Sequence, residues 1–226
     1  MRAVATHRRE VQERMTALAS ALVDRIAARH PDGFEIRDFI LVYHQLDVPD
    51  PEGTRETWAH APYSDWNQGI GFSTTSRNWW VDEMIVDEAF DRAASANGTA
   101  NADSEVVATD RTDAHEVFDR RVTALFRDYL DSLDEVAPHG WELADVGIVC
   151  QLAVAPPETD VLRPWEAGSY AGWAQEVAFA TTSRSRWFEL EMLSEVLAQV
   201  RDRRWNSAEP GEAEDDAEPE EEREGS

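Results

Sequence analysis

Lysine is absent from this chain of 226 residues, and all 21 of its basic residues are arginine. Its 46 acidic residues give a formal net charge of −25. Ten of the acids lie in residues 207–226, so the remainder of the chain is acidic as well. An acid-rich surface without lysine is typical of a protein in molar salt, where screening removes most self-repulsion. We interpret the chain as a halophile's protein, for which negative charge only mildly disfavours nucleic acid as a partner.

Cysteine occurs once, at Cys150, which excludes an intramolecular disulfide and a cysteine-based metal site. Its place within an apolar run favours a buried, unreactive thiol over a nucleophile. No run reaches the roughly 18 apolar residues that a membrane span requires. Glu10, Glu13 and Arg14 interrupt the segment after the N-terminal twin arginine, which is unlike a signal peptide. We expect a cytoplasmic protein with no membrane partner.

Motifs for catalysis and cofactors are also lacking. The sequence contains no nucleophile elbow, no HExxH zinc motif and no Walker phosphate-binding loop. No Ser/His/Asp or paired-carboxylate arrangement can be assembled from it. We therefore expect no cofactor, no metal and no catalytic residues.

What the chain does contain is a repeat of itself. An offset of 107 residues places 33–36 (Gly-Phe-Glu-Ile) on 140–143 (Gly-Trp-Glu-Leu). The same offset places 74–77 on 181–184, both of which read Thr-Thr-Ser-Arg, and it pairs three tryptophans with three tryptophans. Because tryptophan is rare, these matches indicate an internal duplication.

Each copy has the same order of predicted elements: a helix, a long strand, a long loop, a second strand and a second helix. In the first copy the strands are predicted at 34–46 and 68–75, and the second helix at 77–94. The segment 39–43 is apolar on both alternating faces, which indicates a central, covered strand. Apolar residues at steps of three and four predict the first helix of each copy. These two helical stripes are Val11, Met15, Leu18, Leu22 and Ile26, and Phe118, Val122, Leu125, Tyr129 and Leu133.

These elements predict an α+β fold in which the two copies form a pseudo-two-fold domain, like a gene-fused homodimer. A unit of about 90 residues buries little more than about 60% of its surface alone, so the copies should pack together. We expect an antiparallel sheet of four to six strands, with helices covering mainly one face. The predicted boundaries are 1–94 for the first unit, 95–104 for a linker, 105–206 for the second unit and 207–226 for a disordered acidic tail.

The repeated Thr-Thr-Ser-Arg motif is the first candidate site. It lies where a predicted strand becomes a helix, so its hydroxyl and free backbone N–H groups could hold an anion beside an arginine. The structural alternative is a helix cap with the arginine paired to an acid, and almost every helix start needs a cap. The candidate residues are Thr75, Ser76 and Arg77, with Thr182, Ser183 and Arg184 in the second copy.

Aromatic residues in and near the long loops are the second candidate. Tryptophan and tyrosine are enriched where binding energy concentrates, so they could line a ligand groove or a partner surface. The alternative is that they hold the loops against the sheet. The candidates are Trp58, Tyr63 and Trp66, with Trp165, Tyr170 and Trp173 in the second copy.

A third set of polar residues occurs in the first copy alone. His44, His60 and Asp65 could form an acid–base site if they lie within hydrogen-bond reach of one another. Their spacing fits no metal-ligand pattern, and lone histidines are common at protein surfaces.

The sequence thus predicts a non-catalytic protein-interaction module, such as an adaptor, a regulator or a chaperone-like factor, whose partner is another protein. The alternative is a small-molecule-binding domain, with an anionic ligand held at the junction of the two copies by Arg77 and Arg184.

Overall fold

The computed structural model describes residues 2–47, 67–95, 113–136, 140–155 and 173–207. Within these residues the protein has four helices and one antiparallel sheet of four strands, which is an α+β fold. The predicted long loops, most of the predicted linker and the predicted acidic tail lie outside this part of the chain.

The helices and strands follow one another in two runs of helix, strand, strand and helix. The strands predicted at 34–46 and 68–75 and the helix predicted at 77–94 agree with the structure to within two residues at each end. The elements are α1 (Arg2–Arg29), β1 (Phe34–Asp47), β2 (Asn67–Thr74), α2 (Trp79–Ser95), α3 (Asp113–Val136), β3 (Trp141–Val154), β4 (Ala174–Thr181) and α4 (Arg186–Ser207).

The two long strands, β1 and β3, both begin directly after a glycine. Gly33 and Gly140 have φ angles of 123° and 132°, which side chains with a Cβ rarely adopt. Gly33 donates its N–H to the carbonyl of His30 at 3.1 Å, which closes the turn after α1. The chain therefore passes from a helix to a strand at Gly33 and again at Gly140, as the sequence predicted.

The strand order is β2-β1-β3-β4, so the two long strands pair at the centre of the sheet. Leu41 lies opposite Ile148 near the middle of this pair. The register shifts by one residue on each side, between Ile36 and Phe39 of β1 and next to Ala144 of β3. These two β-bulges lie at positions that the 107-residue offset superimposes.

Helices cover both faces of the sheet, and the expectation that they cover mainly one face is wrong. The reason lies in the central strand β1, whose successive side chains point alternately into two hydrophobic cores on opposite faces of the sheet. Phe39, Leu41 and Tyr43 pack under α1 and α3, whereas Ile40 and Val42 pack under α2 and α4. Because both faces of this segment are apolar, each needs its own layer of helices.

The predicted helical stripes face the first of these cores. All five residues of the first stripe are buried, and three of the second stripe are buried while Leu125 and Tyr129 are partly buried. This core combines side chains from α1 and α3 with side chains from β1 and β3. Residues from before and after the predicted linker therefore share one hydrophobic core.

Two arginines tie the helices of this face to the bulges of the central strands. Arg14 of α1 donates to the carbonyl oxygens of Leu143 and the next residue, at 3.1 and 2.6 Å. Arg121 of α3 donates to the carbonyl oxygens of Ile36 and the next residue, at 3.1 and 2.8 Å. A bulge disrupts the ladder locally, so such carbonyl groups need other donors.

Candidate functional site

The second threonine of each Thr-Thr-Ser-Arg motif fastens the end of an outer strand to a central one. Thr75 accepts a hydrogen bond at Oγ1 from the N–H of Phe39, and Thr182 accepts one from the N–H of Val146, each at 3.0 Å. The backbone N–H groups of the same threonines donate to the carbonyls of the same partners, at 3.1 and 2.9 Å. These hydroxyl groups therefore serve the fold.

The motif serines organise the turns that lead into α2 and α4. Ser76 accepts a hydrogen bond at Oγ from the N–H of Asn78 at 3.0 Å, and Ser183 accepts one from the N–H of Ser185 at 3.2 Å. Ser185 in turn accepts at Oγ from the N–H of Phe188 at 3.4 Å. That last contact is the one an N-cap residue makes with the first turn of a helix.

The motif arginines are separate from these contacts. Arg77 and Arg184 are both exposed, whereas Ser183 beside Arg184 is buried. The exposure of both arginine side chains counts against a ligand held between them.

Most of the aromatic candidates lie outside the described residues, so their role stays a prediction. Trp173, the residue before β4, is the exception, and it is partly buried. The others are Trp58, Tyr63, Trp66, Trp165 and Tyr170.

Two further tryptophans of the repeat are exposed at the starts of helices. Trp80 in the first turn of α2 is 55% exposed, and Trp187 in the first turn of α4 is 84% exposed. Met84, one turn after Trp80 in α2, is also exposed. Trp187 lies near the other end of α2, because the adjacent Arg186 donates to the carbonyl oxygens of Ala93 and Ala94. The two exposed tryptophans therefore mark two separate apolar positions, of the kind that can contact a partner.

The first turn of each of these helices contains a buried carboxylate. Asp82 is 5% exposed and accepts a hydrogen bond from the Oγ1 of Thr74 at 2.6 Å. Burial raises the pKa of Asp82 to about 6, although the Thr74 hydrogen bond and the charge of Arg203 act in the opposite direction. Glu189, at the position that the offset superimposes on Asp82, is 1% exposed.

Of the three residues of the predicted acid–base site, His44 alone lies in the described part of the chain. His44 lies with its Nδ1 atom 3.9 Å from Oδ2 of Asp145, and its ring packs 4.5 Å from the ring of Phe188. His60 and Asp65 lie outside the described residues, so this hypothesis also stays a prediction.

The remaining reactive groups do not assemble a metal site in the part of the chain that is described. No group of three or more His, Cys, Asp or Glu side chains there could hold a metal ion. Cys150 is fully buried, and burial raises the pKa of its thiol. The expected unreactive thiol agrees with this environment.

A cleft of about 220 Å³ lies along the outer edge of β4, between α1 on one face of the sheet and α2 on the other. Its floor consists of buried apolar side chains that belong to both cores of the protein. These floor residues are Leu22 and Ile26 from α1, Ala89 and Ala93 from α2, and Val177 from β4.

Arginines from both flanking helices reach the edge strand at the cleft. Arg25 of α1 donates to the carbonyl oxygen of Phe179 at 3.2 Å, and Arg92 of α2 donates to the carbonyl oxygen of Val177 at 2.8 Å. An outermost strand presents alternate carbonyl groups away from the sheet, and such groups need covering. Both arginines therefore cover the edge as well as line the cleft.

A third arginine adds to the positive charge of the cleft. Arg29 lies one turn after Arg25 on α1 and is exposed. Burial lowers the pKa of Arg25, and the charge of Arg29 lowers it further. On the α2 side, Arg92 pairs with Glu88 at 2.7 Å. Glu176 of β4 lies 4.0 Å from Arg92 and 3.5 Å from His30, the residue directly after α1. The α1 side contributes two of the three arginines that line the cleft.

The sequence analysis did not predict these three arginines, although the 107-residue offset held a signal for them. Each arginine has an uncharged residue 107 positions later, and three of the apolar lining residues have a larger residue there. The pairs are Arg25 and Ser132, Arg29 and Val136, Arg92 and Gln199, Leu22 and Tyr129, Ala89 and Val196, and Ala93 and Val200.

No protein-family model, curated protein or solved structure matches this chain. Across the described segments, none of the helices has the length and apolar character needed to cross a membrane.

Proposed function

We propose that this protein is a non-catalytic binding module that holds a small anionic ligand in the cleft between α1, α2 and β4. The observation that carries the proposal is the group of three arginines around an apolar floor, in a chain whose net charge is −25. Its α1 and α2 residues come from the first predicted unit and its β4 residues from the second. The ligand would therefore bind at the junction of the two units.

The chemistry of arginine favours an anion with more than one oxygen atom. The planar guanidinium group presents a fork of N–H donors that matches a carboxylate or a phosphate. Arg25 is partly buried, so salt screens its charge less than it screens a surface charge. Such a site retains affinity for an anion in a salt-rich solution.

The test is a thermal-shift screen of small carboxylates and phosphates at molar salt. We expect some anions to raise the melting temperature, because a ligand at one hundred times its Kd adds about 2.7 kcal/mol to the stability of the folded state. The comparison is a triple variant, Arg25→Ser, Arg29→Val and Arg92→Gln, which carries the second-copy residues. A library that shifts neither protein, or shifts both equally, overturns the proposal.

A second variant distinguishes this cleft from the site predicted by the repeat motif. Arg77→Ala with Arg184→Ala removes both motif arginines, whose side chains are exposed. We expect this variant to retain the ligand-induced shift in full. Loss of the shift here, with retention in the triple variant, would move the site to the motif.

We also propose that the chain is a tandem duplication with pseudo-two-fold symmetry. The register of the central strands supports this, because exchanging the copies maps the pair of Leu41 and Ile148 onto itself. The contacts of Arg14 and Arg121 with the two bulges support it as well, since all their donor and acceptor positions differ by 107. The test is whether Arg14→Met and Arg121→Met lower the unfolding free energy by equal amounts.

A protein-interaction module is the second candidate, with an adaptor, regulator or chaperone-like role. The exposure of Trp80 and Trp187 favours it. The test is affinity purification from the native cells with Trp80→Ala and Trp187→Ala, and in parallel with Trp58→Ala and Trp66→Ala. An unchanged set of bound proteins in both variants would exclude this role for the aromatic residues.

We propose, finally, that the protein works in the cytoplasm of a halophile. The acid excess and the complete lack of lysine support this. We expect the melting temperature to rise between about 0.1 M and 3 M potassium chloride, as screening relieves self-repulsion. A melting temperature that stays constant or falls over this range would contradict the proposal.

A further inference from the structure

We infer that the ligand of this cleft is an amphipathic acid, with one anionic head group and an apolar body of roughly six to eight carbons. The inference rests on the proposed function, because it specifies the chemistry of the ligand that the same cleft would hold. A charged mouth and an apolar floor are present together. A ligand that matches only one of these parts leaves the other in contact with water.

The side chains that the two helices contribute to the floor of the cleft are hydrocarbon. Leu22 and Ile26 come from α1, Ala89 and Ala93 come from α2, and all four side chains are buried. A simple inorganic anion at the mouth would leave this surface wet. An apolar body that lies on the floor would instead remove it from water, and binding would strengthen with each buried methylene.

The volume of the cleft limits the size of that body. At about 220 Å³ it is larger than the ~150 Å³ apolar cavity that suffices for a benzene molecule. A chain of six to eight carbons or a substituted ring fits this space, whereas a long acyl chain exceeds it.

The arginines place the head group at the α1 side of the mouth. Arg25 and Arg29 lie one turn apart on α1, and Arg92 faces them from α2. A guanidinium group has five N–H donors, so an arginine that covers a strand carbonyl can also bind an anion. Because Glu88 of α2 pairs with Arg92 at 2.7 Å, the two arginines of α1 supply most of the positive charge available to a head group.

The second copy shows which residues open the floor. Val196 and Val200 occupy the positions that correspond to Ala89 and Ala93, and Tyr129 occupies the position of Leu22. The smaller residue of each pair lines the cleft. Exchanging single residues toward the second copy is therefore a way to fill the floor with side chains that the same architecture already accommodates.

The experiment is calorimetric titration of the full chain, at molar salt, with acetate, butanoate, hexanoate and octanoate. We expect the affinity to rise by about fourfold per methylene and to level off near eight carbons. Octyl phosphate tests whether a phosphate serves as the head group equally well, and octanol and octylamine test the need for an anion. We expect Ala93→Val to weaken octanoate at least fivefold while acetate binding stays unchanged.

Leu22→Ala is the complementary variant, because it enlarges the floor instead of filling it. We expect it to move the plateau of the series to a longer acid, which keeps the inference testable if Ala93→Val fails to fold. Equal affinity for acetate and octanoate, with loss of both in the triple arginine variant, overturns the inference and leaves the proposed function standing. Binding of no acid and no octyl phosphate overturns the inference, and it overturns the proposed function as well when no other anion of the thermal-shift screen raises the melting temperature. Equal binding of octanol and octanoate overturns both.

Discussion

The two outer edges of the sheet occupy positions that the 107-residue offset superimposes, yet their side chains differ. At the β2 edge, Gln199 covers the carbonyl of Ile70 at 2.7 Å, and Tyr129 lies over Gly71. At the β4 edge, Arg92 covers the corresponding carbonyl, while Leu22 takes the place of the tyrosine. The first edge is filled by a ring, and the second has an arginine-lined cleft.

The centre of the sheet does not differ in this way. Arg14 and Arg121 make the same contacts with the two bulges, and Thr75 and Thr182 fasten the outer strands in the same manner. A substitution at the centre would disturb the ladder and both cores, whereas one at an edge changes only what the edge presents. The comparison teaches that an arginine-lined cleft can form at the edge of a sheet whose central contacts stay matched.

The largest expected effect concerns the matched framework. Arg14→Met and Arg121→Met each remove two hydrogen bonds from a charged donor to partly buried carbonyl groups, and Arg14→Met also removes a longer one, of 3.3 Å, to the Oγ1 of Thr182. We expect each variant to lose about 2–4 kcal/mol of unfolding free energy, measured by denaturant titration.

The two losses should agree within about 1 kcal/mol, since the contacts correspond. Arg9→Met is the control, because Arg9 is exposed and its one ion pair among the described residues is with Glu13 at 3.5 Å. We expect a change of less than about 0.5 kcal/mol for it. Losses in the two main variants that differ several-fold would contradict the idea that the halves are equivalent at the centre.

The next effect concerns Asp82, a buried residue in the first turn of α2. Its pKa in the folded protein, about 6, lies above the ordinary value of 3.8, so the folded state binds more protons between these values. The contribution of Asp82 to stability is therefore most favourable below pH 3.8 and declines as the pH rises through about 6. We expect this decline to amount to about 2–3 kcal/mol.

Asp82→Asn should remove that pH dependence while its side-chain oxygen still accepts the hydrogen bond from Thr74. Unfolding free energies of the variant and the unsubstituted protein, measured from pH 4 to pH 7, should converge at the acid end and diverge toward neutrality. Asp91→Asn, at an exposed position of the same helix, is the control. Parallel pH profiles for the protein and Asp82→Asn would contradict the prediction.

A smaller effect is expected from opening the filled edge. The ring of Tyr129 stacks on Tyr43 with 3.6 Å between centroids, and its hydroxyl donates to Gln45 at 2.8 Å. Tyr129→Leu, which introduces the residue of the β4 edge, should cost about 1–2 kcal/mol in a denaturant titration. Tyr129→Phe retains the stacking and should cost about half as much, so equal losses would mean that the stacking contributes nothing.

The smallest effect concerns the residues that cover the edge carbonyls. Arg92→Ala and Gln199→Ala each uncover a carbonyl that water can reach, so each should cost less than about 1 kcal/mol. The two variants should nevertheless differ in ligand-induced thermal stabilisation, which Arg92→Ala reduces and Gln199→Ala leaves intact. If both variants retain the same ligand-induced stabilisation, the two edges do not differ in ligand binding as proposed.

Much of the fold could be predicted because its signals are local or repeated. The apolar stripes of α1 and α3 have helical spacing, and the glycines at 33 and 140 recur where a helix gives way to a strand. The presence of helices on both faces of the sheet was harder to predict, although segment 39–43, which is apolar on both alternating faces, already indicated it. Strand order could not be derived, because a two-fold arrangement permits either β1 with β3 or β2 with β4 as the central pair.

The cleft could not be predicted for a different reason. Arg25 and Arg92 are 67 residues apart, and β4 brings Val177 to them only through the pairing of the whole sheet. On α1, an arginine beside an apolar stripe resembles an ordinary solvated helix surface. The repeated Thr-Thr-Ser-Arg motif attracted attention instead, although its hydroxyl contacts with the strands and helix starts are of the kind that any fold requires.

The paired bulges restrict how this chain can change in length. Each bulge brings side chains an odd number of residues apart onto the same face: Ile36 and Phe39 both contact the α1–α3 core, and so do Leu143 and Val146. Deleting Ala144 would regularise the ladder but would turn the residues before it, including the buried Trp141, toward the opposite face. We therefore expect a single-residue insertion or deletion in either long strand to destabilise the fold more than a change of length in a segment that connects two elements.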